Sequence, residues 1–438
     1  MAGNPGNVLS SKTMAENNGA AERCYEGLPI NLSREDTLLT HCACLNLSQK
    51  QYETVRDILT RGVDWDLLLN KADWHRLSPL MAHWLMSPDL SVLVPTSILQ
   101  RMKGIHAQNL AKSIILQKEL SRLLLVFQQE GVPVVLLKGA ALLGSVYGDI
   151  ALRPMGDLDI LVRPEHLDRA EAIALKQGYG YRANHELQQL TRQDCRHLAN
   201  LWHHEKRIML EIHHHIVSHD EPYYFNLEGF WSRARTVTIS SACALVFAPE
   251  DLLIHLSIKF LLDRRYLSNS ALGQLCDISE VTRHYGDSLD WDQIEQTSQE
   301  NGVLKGLHFV LYTCQRLLQT PVPASILHRF QPRDFNPAPA DIFIRRRVLD
   351  TRPWLAHGLV DSQPGFNRRR TILAIASRFA SFTREIMKNG DGDNTRPSNL
   401  RRVRDILPKL VRVLLRPAEL KEDLQLDRWL HDLHNNAD

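Results

Sequence analysis

The sequence lacks the features of a secreted or membrane-spanning protein. It has seven cysteines among 438 residues, and none of them forms a Cys-X-X-Cys pair. An odd number of scattered cysteines is typical of a reducing compartment, so we expect a cytoplasmic location. No uninterrupted run of about 18 apolar residues occurs, and the sequence therefore predicts no transmembrane helix.

Strong net charge and internal repeats are also lacking. The formal net charge is only +2, so the overall balance indicates neither a nucleic acid nor an acidic partner. No segment recurs at a fixed period, which excludes a solenoid. Hydrophobic residues make up 44% and charged residues 23%, as in a globular protein with a sizeable core. The length predicts two to three domains.

The distribution of apolar and breaker residues divides the chain into five segments. These are a disordered leader (1–35), an N-terminal helical segment (36–130), an α/β core (131–248), a second helical segment (249–330) and a basic helical tail (331–438). The leader is rich in small polar residues and lacks the apolar stretch of a secretory signal. A long amphipathic helix is predicted over 105–130, immediately before the core.

Within the core, strands and helices are expected to alternate. The predicted strands are Val134–Leu137, Leu158–Val162 and Ile208–Val217, and a helix is predicted over Ala140–Tyr147. This order predicts an α/β core between two helical segments.

Asp157 and Asp159 are the strongest candidates for a functional site. Alternate residues of a strand project to one face, so the two carboxylates would lie about 7 Å apart and repel each other unless a cation sits between them. Mg²⁺ prefers such oxygen ligands, with phosphate oxygens completing its coordination. The alternative is a solvated pair of acids at the entry to a strand. The strand–glycine–helix unit before the two acids favours the metal site.

Glu211 and His213 lie in the later predicted strand. An acid between Leu210 and Ile212 is costly to bury without a cation, so Glu211 is a candidate metal ligand or base for an acceptor hydroxyl. The alternative is an edge glutamate paired with a neighbouring basic residue. His213 shares its face and could line the site or carry a proton. The other histidines nearby lack the spacing of a structural zinc site.

Lys138, Gly139 and Arg153 are candidates for phosphate binding. Gly139 lets the backbone approach a phosphate, and the helix after it offers free N–H groups. Lys138 lies beside this turn, and Arg153 lies in the loop before Asp157. A surface arginine is the alternative for Arg153.

The stretch from Val135 to Val162, with its Leu-Lys-Gly-Ala-Ala-Leu and Asp-Leu-Asp-Ile-Leu-Val motifs, resembles the bacterial nucleotidyltransferase family of the DNA polymerase β-like superfamily. Leu210–His213 fits the strand that carries the third acid of that family. Pro249–Leu256 and Leu289–Trp291 fit its helical second half. The resemblance covers roughly residues 36–320.

This resemblance implies a fold, a reaction and a set of site residues. The fold would be a small mixed β-sheet flanked by helices. The reaction would transfer a nucleoside monophosphate from an NTP, with ATP as one candidate, to an acceptor and release pyrophosphate, using two Mg²⁺ ions. Asp157, Asp159 and Glu211 would be the three carboxylates. Gly139 would take the place of the glycine in the Gly-Ser element, and Ala140 replaces its serine, which removes one donor to the triphosphate.

The acceptor is left open as a small molecule, a protein or an RNA. One alternative is an inactive scaffold with this fold, and another is a toxin-like transferase that modifies tRNA or protein. Residues 345–416 contain 17 Lys or Arg against 6 Asp or Glu, so the tail is expected either to bind an anionic partner or to form a solvated helical face.

Overall fold

The computed structural model describes residues 32–182, 195–218, 225–265, 271–333 and 335–349, together with Gln188 and Tyr223. The predicted leader, apart from its last residues, and most of the predicted basic tail lie outside the described residues. The fold is α/β, with a mixed sheet between helical segments, as the sequence predicts.

The described residues begin with a series of helices, as expected for the predicted N-terminal helical segment. They are α1 (Arg34–His41), α2 (Gln49–Arg61), α3 (Trp65–Trp74), α4 (Ser78–Leu85), α5 (Pro88–Ser91) and α6 (Thr96–Gln129). Side-chain caps fix several of their starts: Ser48 and Gln51 form a capping box at α2, and Asp64 accepts a hydrogen bond from the Leu67 amide at α3. The long helix α6 starts at Thr96 rather than at 105, because Met102 already adds a fully buried position to its apolar stripe.

Within the described residues, the sheet has seven strands, more than the sequence predicts. They are β1 (Val135–Leu136), β2 (Leu158–Leu161), β3 (Tyr179–Tyr181), β4 (Leu201–His203), β5 (Ile208–His213), β6 (Arg235–Ile239) and β7 (Ala242–Val246). Their order is β3-β4-β5-β2-β1-β7-β6. Strand β2 is parallel to β5 and antiparallel to β1, and β1 is parallel to β7, so the sheet is mixed.

Short helices connect these strands. Helix α7 (Lys138–Ser145) follows β1, a 3₁₀ turn (Pro164–His166) and α8 (Leu167–Lys176) follow β2, and α9 (Glu228–Arg233) precedes β6. Strand β5 ends at His213, four residues before the predicted end. The amides of His214 and His215 both donate to the carbonyl of Arg196, and this contact turns the chain away from the sheet.

The second helical segment packs beside the carboxylate-bearing strands. It comprises α10 (Pro249–Arg265), α11 (Ala271–Tyr285), a 3₁₀ turn (Gly286–Ser288), α12 (Trp291–Glu300), α13 (Leu304–Leu318) and α14 (Ala324–Phe330). Helix α15 (Pro337–Phe343), which continues as a π-helical turn (Ile344–Val348), lies in the first part of the predicted basic tail. Helix α10 is fixed to α9 by two hydrogen bonds of 2.9 and 2.7 Å from the Arg233 guanidinium to the buried Asp251 carboxylate.

The N-terminal helices also contact the first part of the predicted basic tail. The Lys71 ammonium lies 2.6 Å from an Asp36 carboxylate oxygen and 3.3 Å from the Leu349 carbonyl, so the two ends of the described chain meet. Among the described residues, no helix is both long enough and apolar enough to cross a membrane.

Candidate active site

Two parallel strands bring two carboxylates face to face. In the register of β2 and β5, Asp159 lies directly opposite Glu211. Asp159 is 2% exposed, so its charge is largely removed from water. Residues directly opposite each other in paired strands have neighbouring side chains, and two such carboxylates repel each other strongly at low dielectric. The pair therefore requires a positive partner.

Lys138 provides a positive charge between the two carboxylates. Its ammonium donates a hydrogen bond to Asp159 Oδ1 and lies 3.2 Å from Glu211 Oε2. Burial opposes the charged form, yet Asp159 and Glu211 together raise the pKa of Lys138 above its ordinary value. The residue has a φ of +46°, a conformation that is rare outside glycine. With this backbone conformation, the Lys138 ammonium lies where it neutralises Asp159 and Glu211.

His213 completes the buried group. Its Nε2 lies 3.1 Å from Asp159 Oδ1 and 3.4 Å from Glu211 Oε2. Burial alone would raise the pKa of Glu211, but the hydrogen bond with His213 and the charge of Lys138 hold it well below its ordinary value. The ring of His197 makes an edge contact with the His213 ring, with centroids 5.0 Å apart. A buried imidazole thus bridges the two carboxylates.

Asp157 lies at the edge of this group, one residue before β2. Burial and the neighbouring charges of Asp159 and Glu211 raise its pKa to about 6. Burial is the largest cause of this rise, and the like charges of Asp159 and Glu211 add to it although Lys138 and Arg76 oppose it. A further cation would therefore stabilise the ionised form of Asp157.

The donor atoms fit a divalent metal ion. One atom from each of Asp159, Glu211 and His213 lies within 4.8 Å of the others. This set of two carboxylates and an imidazole suits a divalent cation, and Asp157 adds a third carboxylate nearby. The three residues that lie closest together are therefore Asp159, Glu211 and His213, whereas the metal ligands predicted from the sequence are Asp157, Asp159 and Glu211. A metal held there would take carboxylate oxygens that Lys138 now holds.

Gly139 permits a close approach by an arginine. A Cβ atom at this position would lie 2.5 Å from Arg153 Nη1 and 3.1 Å from Met155 Cγ. Contacts this short do not occur in real side chains, so the absence of a Cβ leaves the space that Arg153 fills. Ala140, the next residue, is 3% exposed, and its methyl group packs in the core.

Arg153 is anchored from behind by Asp277 of α11. Its Nε and Nη2 each donate a hydrogen bond of 2.8 Å to the Asp277 carboxylate. Tyr147 also donates to this carboxylate, at 2.9 Å. Burial opposes the charge of Arg153, but Asp277 raises its pKa above the ordinary value. The planar fork of the guanidinium is thereby fixed, with Nη1 beside Gly139.

These residues line one open cleft of about 470 Å³. Six of the residues selected from the sequence line the cleft: Lys138, Gly139, Arg153, Asp157, Asp159 and Glu211. His213 lies behind its floor. Sequence reasoning missed three basic residues and two acidic residues of the walls: Arg76, Arg196, Lys259, Asp263 and Asp277.

No signal in the sequence identified these wall residues. Lys259 and Asp263 form an i,i+4 ion pair on α10, a pattern common on ordinary helix surfaces. Burial lowers the pKa of Lys259 despite its partner Asp263, and the positive charges of Lys138 and Arg196 lower it further. The wall thus brings together cations from distant parts of the chain.

A family model described as uncharacterised nucleotidyltransferase matches residues 61–319, more than half of the chain. The chain belongs to this family. The match runs from the last residue of α2 to the residue after the end of α13. It therefore contains every residue that lines the cleft. Neither the curated proteins nor the solved structures contain a significant match to the chain. The expectation of a nucleotidyltransferase family is thereby confirmed, while its bacterial branch within the DNA polymerase β-like superfamily stays a prediction. The buried acidic group with His213 fits nucleotidyl transfer.

Proposed function

We propose that the protein is a Mg²⁺-dependent nucleotidyltransferase that moves a nucleoside monophosphate from an NTP to an acceptor and releases pyrophosphate. The observation that carries this proposal is the Asp159–Glu211 pair, which the β2–β5 register holds beside His213 at the floor of a cleft lined with cations. The family supports a nucleotide as the substrate. Cys42, Cys44, Cys276 and Cys314 are buried free thiols, and such thiols fit a cytoplasmic setting.

The carboxylates of Asp157, Asp159 and Glu211, with His213, are the groups that would hold one or two Mg²⁺ ions. Bound there, the metal would neutralise charge on the phosphates and on the attacking oxygen. Burial and the charges of Asp159 and Glu211 raise the pKa of Asp157, and a bound cation would offset the repulsion among these carboxylates. Lys138 would leave the carboxylates and pair with a phosphate oxygen of the nucleotide.

The nucleotide phosphates would lie along the turn between β1 and α7. The free amides of the first turn of α7, including that of Ala140, are suited to bind phosphate oxygens. Arg153 presents Nη1 beside Gly139 while Asp277 holds its other nitrogens. Arg153 would thus act as a fixed cation rather than as a mobile clamp.

The acceptor would lose its proton to a carboxylate of the site. Glu211 lies 3.4 Å from His213 Nε2, so this carboxylate and imidazole would together take the proton of an acceptor hydroxyl. The acceptor oxygen then forms a bond to the α-phosphorus as the bond to the β-phosphate bridging oxygen breaks. Pyrophosphate leaves with that oxygen, and the nucleoside monophosphate remains on the acceptor. Charge stabilisation and positioning supply the catalysis.

Two radiolabels test this reaction. The protein is incubated with Mg²⁺ and each NTP labelled at either the α- or the γ-phosphate, in a cell extract fractionated into protein, RNA and small molecules. Nucleotidyl transfer predicts that α-label enters one fraction while γ-label appears in pyrophosphate. Entry of γ-label into the acceptor would contradict the proposal, because it indicates phosphoryl transfer.

The matched variants are Asp157→Asn/Asp159→Asn and Asp66→Asn. The first removes two site carboxylates with little change in shape, and the second removes an exposed carboxylate of α3 that does not line the cleft. We expect the double variant to lose labelling and Asp66→Asn to retain it. The labelled fraction also identifies the class of acceptor.

A further inference from the structure

Arg76 occupies a backbone position that normally favours glycine. The amide of Leu77 donates to the Ala72 carbonyl at 2.8 Å, and the amide of Arg76 donates to the Asp73 carbonyl at 3.0 Å. This pair of bonds is a Schellman motif at the end of α3, and Arg76 is its left-handed residue, with φ +57°. An L-residue is disfavoured there relative to glycine, so the arginine is retained at a conformational cost.

The side chain of Arg76 reaches the candidate active site. Arg76 is exposed and lines the same cleft as Lys138 and Asp159. Its Nη1 would lie 3.8 Å from a Cβ atom at Gly156, the residue immediately before Asp157. The guanidinium is therefore at the rim of the acidic group, on the side formed by the N-terminal helical segment.

In the described part of the chain, the guanidinium of Arg76 makes no side-chain hydrogen bond, and its positive charge opposes the rise that burial causes in the pKa of Asp157. Arg153, on the neighbouring wall, differs because Asp277 holds two of its nitrogens. Arg76 thus combines an unfavourable backbone conformation, a place in the cleft and an exposed guanidinium whose planar fork is available to an anion. Guanidinium groups of this kind match the paired oxygens of phosphates.

We propose that Arg76 binds the polyphosphate tail of the nucleotide, so that the N-terminal helical segment forms part of the substrate site. This inference rests on the proposed function, since it assigns the phosphates of that substrate to a wall of the same cleft. A phosphate beside Arg76 also lies near the Asp157 carboxylate. Binding at this position is therefore expected to require a divalent cation that offsets the repulsion.

The Arg76→Gly variant provides a sharp test, because glycine suits φ +57° and removes only the side chain. Titration calorimetry in Mg²⁺ would compare an NTP, the corresponding NMP and inorganic tripolyphosphate. We expect Arg76→Gly to bind the NTP and tripolyphosphate about tenfold more weakly, with NMP affinity changed less than twofold. Its melting temperature should be equal to or higher than that of the wild type. Arg101→Gln, which removes an exposed arginine of α6 outside the cleft, should change neither affinity nor stability.

The outcomes separate this inference from the proposed function. Equal NTP affinity in wild type and Arg76→Gly would overturn the role of Arg76 while leaving the proposed function intact. Equal weakening of NMP and NTP would also overturn it, because the contact would then not be with the polyphosphate. If the wild type binds tripolyphosphate through Arg76 but no NTP, the proposed function fails and the anion site stands. If the wild type binds neither, both fail.

Discussion

The ammonium of Lys138 is hydrogen-bonded to the carboxylate of Asp159. This bond joins the turn after β1 to the middle of β2, and the same ammonium lies 3.2 Å from Glu211. The lysine therefore neutralises a pair of acids that the sheet register forces together. Because the same carboxylates are the proposed metal ligands, Lys138 and a metal compete for them.

Lys138→Met should have opposite effects on stability and on metal binding. Without metal, the variant leaves buried carboxylates unpaired, and we expect a loss of roughly 2–4 kcal/mol in unfolding free energy. Because the competing ammonium is gone, the Kd for Mn²⁺ should fall about tenfold, which corresponds to ~1.4 kcal/mol of binding free energy. Urea unfolding in EDTA and Mn²⁺ titration monitored by paramagnetic resonance measure the two effects. Weaker Mn²⁺ binding in the variant would contradict the competition.

The raised pKa of Asp157 should make the stability of the metal-free protein depend on pH. Its pKa is raised by burial and by Asp159 and Glu211, to about 6, so the folded state binds this proton more tightly than the unfolded state does. The contribution of Asp157 to stability therefore falls as pH rises from about 4 to about 6. Asp157→Asn should remove this fall and stabilise the metal-free protein at pH 7 by about 2 kcal/mol. Urea unfolding in EDTA between pH 4 and 7 measures the difference, and a variant with the wild-type slope would refute this assignment.

Two glycine substitutions should have effects of opposite sign. Gly139→Ala places a Cβ 2.5 Å from Arg153 Nη1, and we expect a cost of about 1–3 kcal/mol as well as weaker NTP binding. Gly104→Ala, in the middle of α6, has no atom within 4 Å of the added Cβ. It should stabilise the protein by about 0.5–1 kcal/mol, because alanine favours a helix. Thermal unfolding of the two variants tests the contrast, which fails if both shift the melting temperature in one direction.

The Arg153–Asp277 pair should be energetically coupled. Either Arg153→Ala or Asp277→Ala leaves a buried charge unpaired, and each should cost about 3–5 kcal/mol. The double variant should cost clearly less than the sum of the single ones. The exposed pair of Arg61 and Asp57 is the control, and breaking it should cost under about 1 kcal/mol. A double-mutant cycle by chemical denaturation measures both pairs, and additive losses at Arg153 and Asp277 would show that the pair is not coupled.

The sequence predicted the parts of the fold that depend on local pattern. Val134–Leu137 and Leu158–Val162 were identified as strands because they are continuous apolar runs bounded by glycine, proline or acids. Strands β3 and β4 have only three residues each, and β6 alternates too weakly between exposed and buried positions to be distinguished from a loop. Such strands form because neighbouring strands pair with them, and the local sequence does not encode that pairing.

For the candidate site, too, the sequence predicts only those residues that local spacing within a strand brings together. The spacing within β2 and β5 indicated Asp159, Glu211 and His213. The walls depend on long-range packing: α3 brings Arg76 to the cleft, and α11 brings Asp277 to Arg153. These contacts span from about 80 to more than 120 residues of sequence, a separation over which residue spacing carries no information.

Calorimetric titration of the four NTPs tests the central claim most directly. The wild type and Asp157→Asn/Asp159→Asn would be titrated in Mg²⁺ and again in EDTA, after circular dichroism has shown that both are folded. The account predicts that the wild type binds at least one NTP in Mg²⁺ only, and that the double variant binds none. Equal binding by the two proteins, or no NTP binding by the wild type, would contradict it.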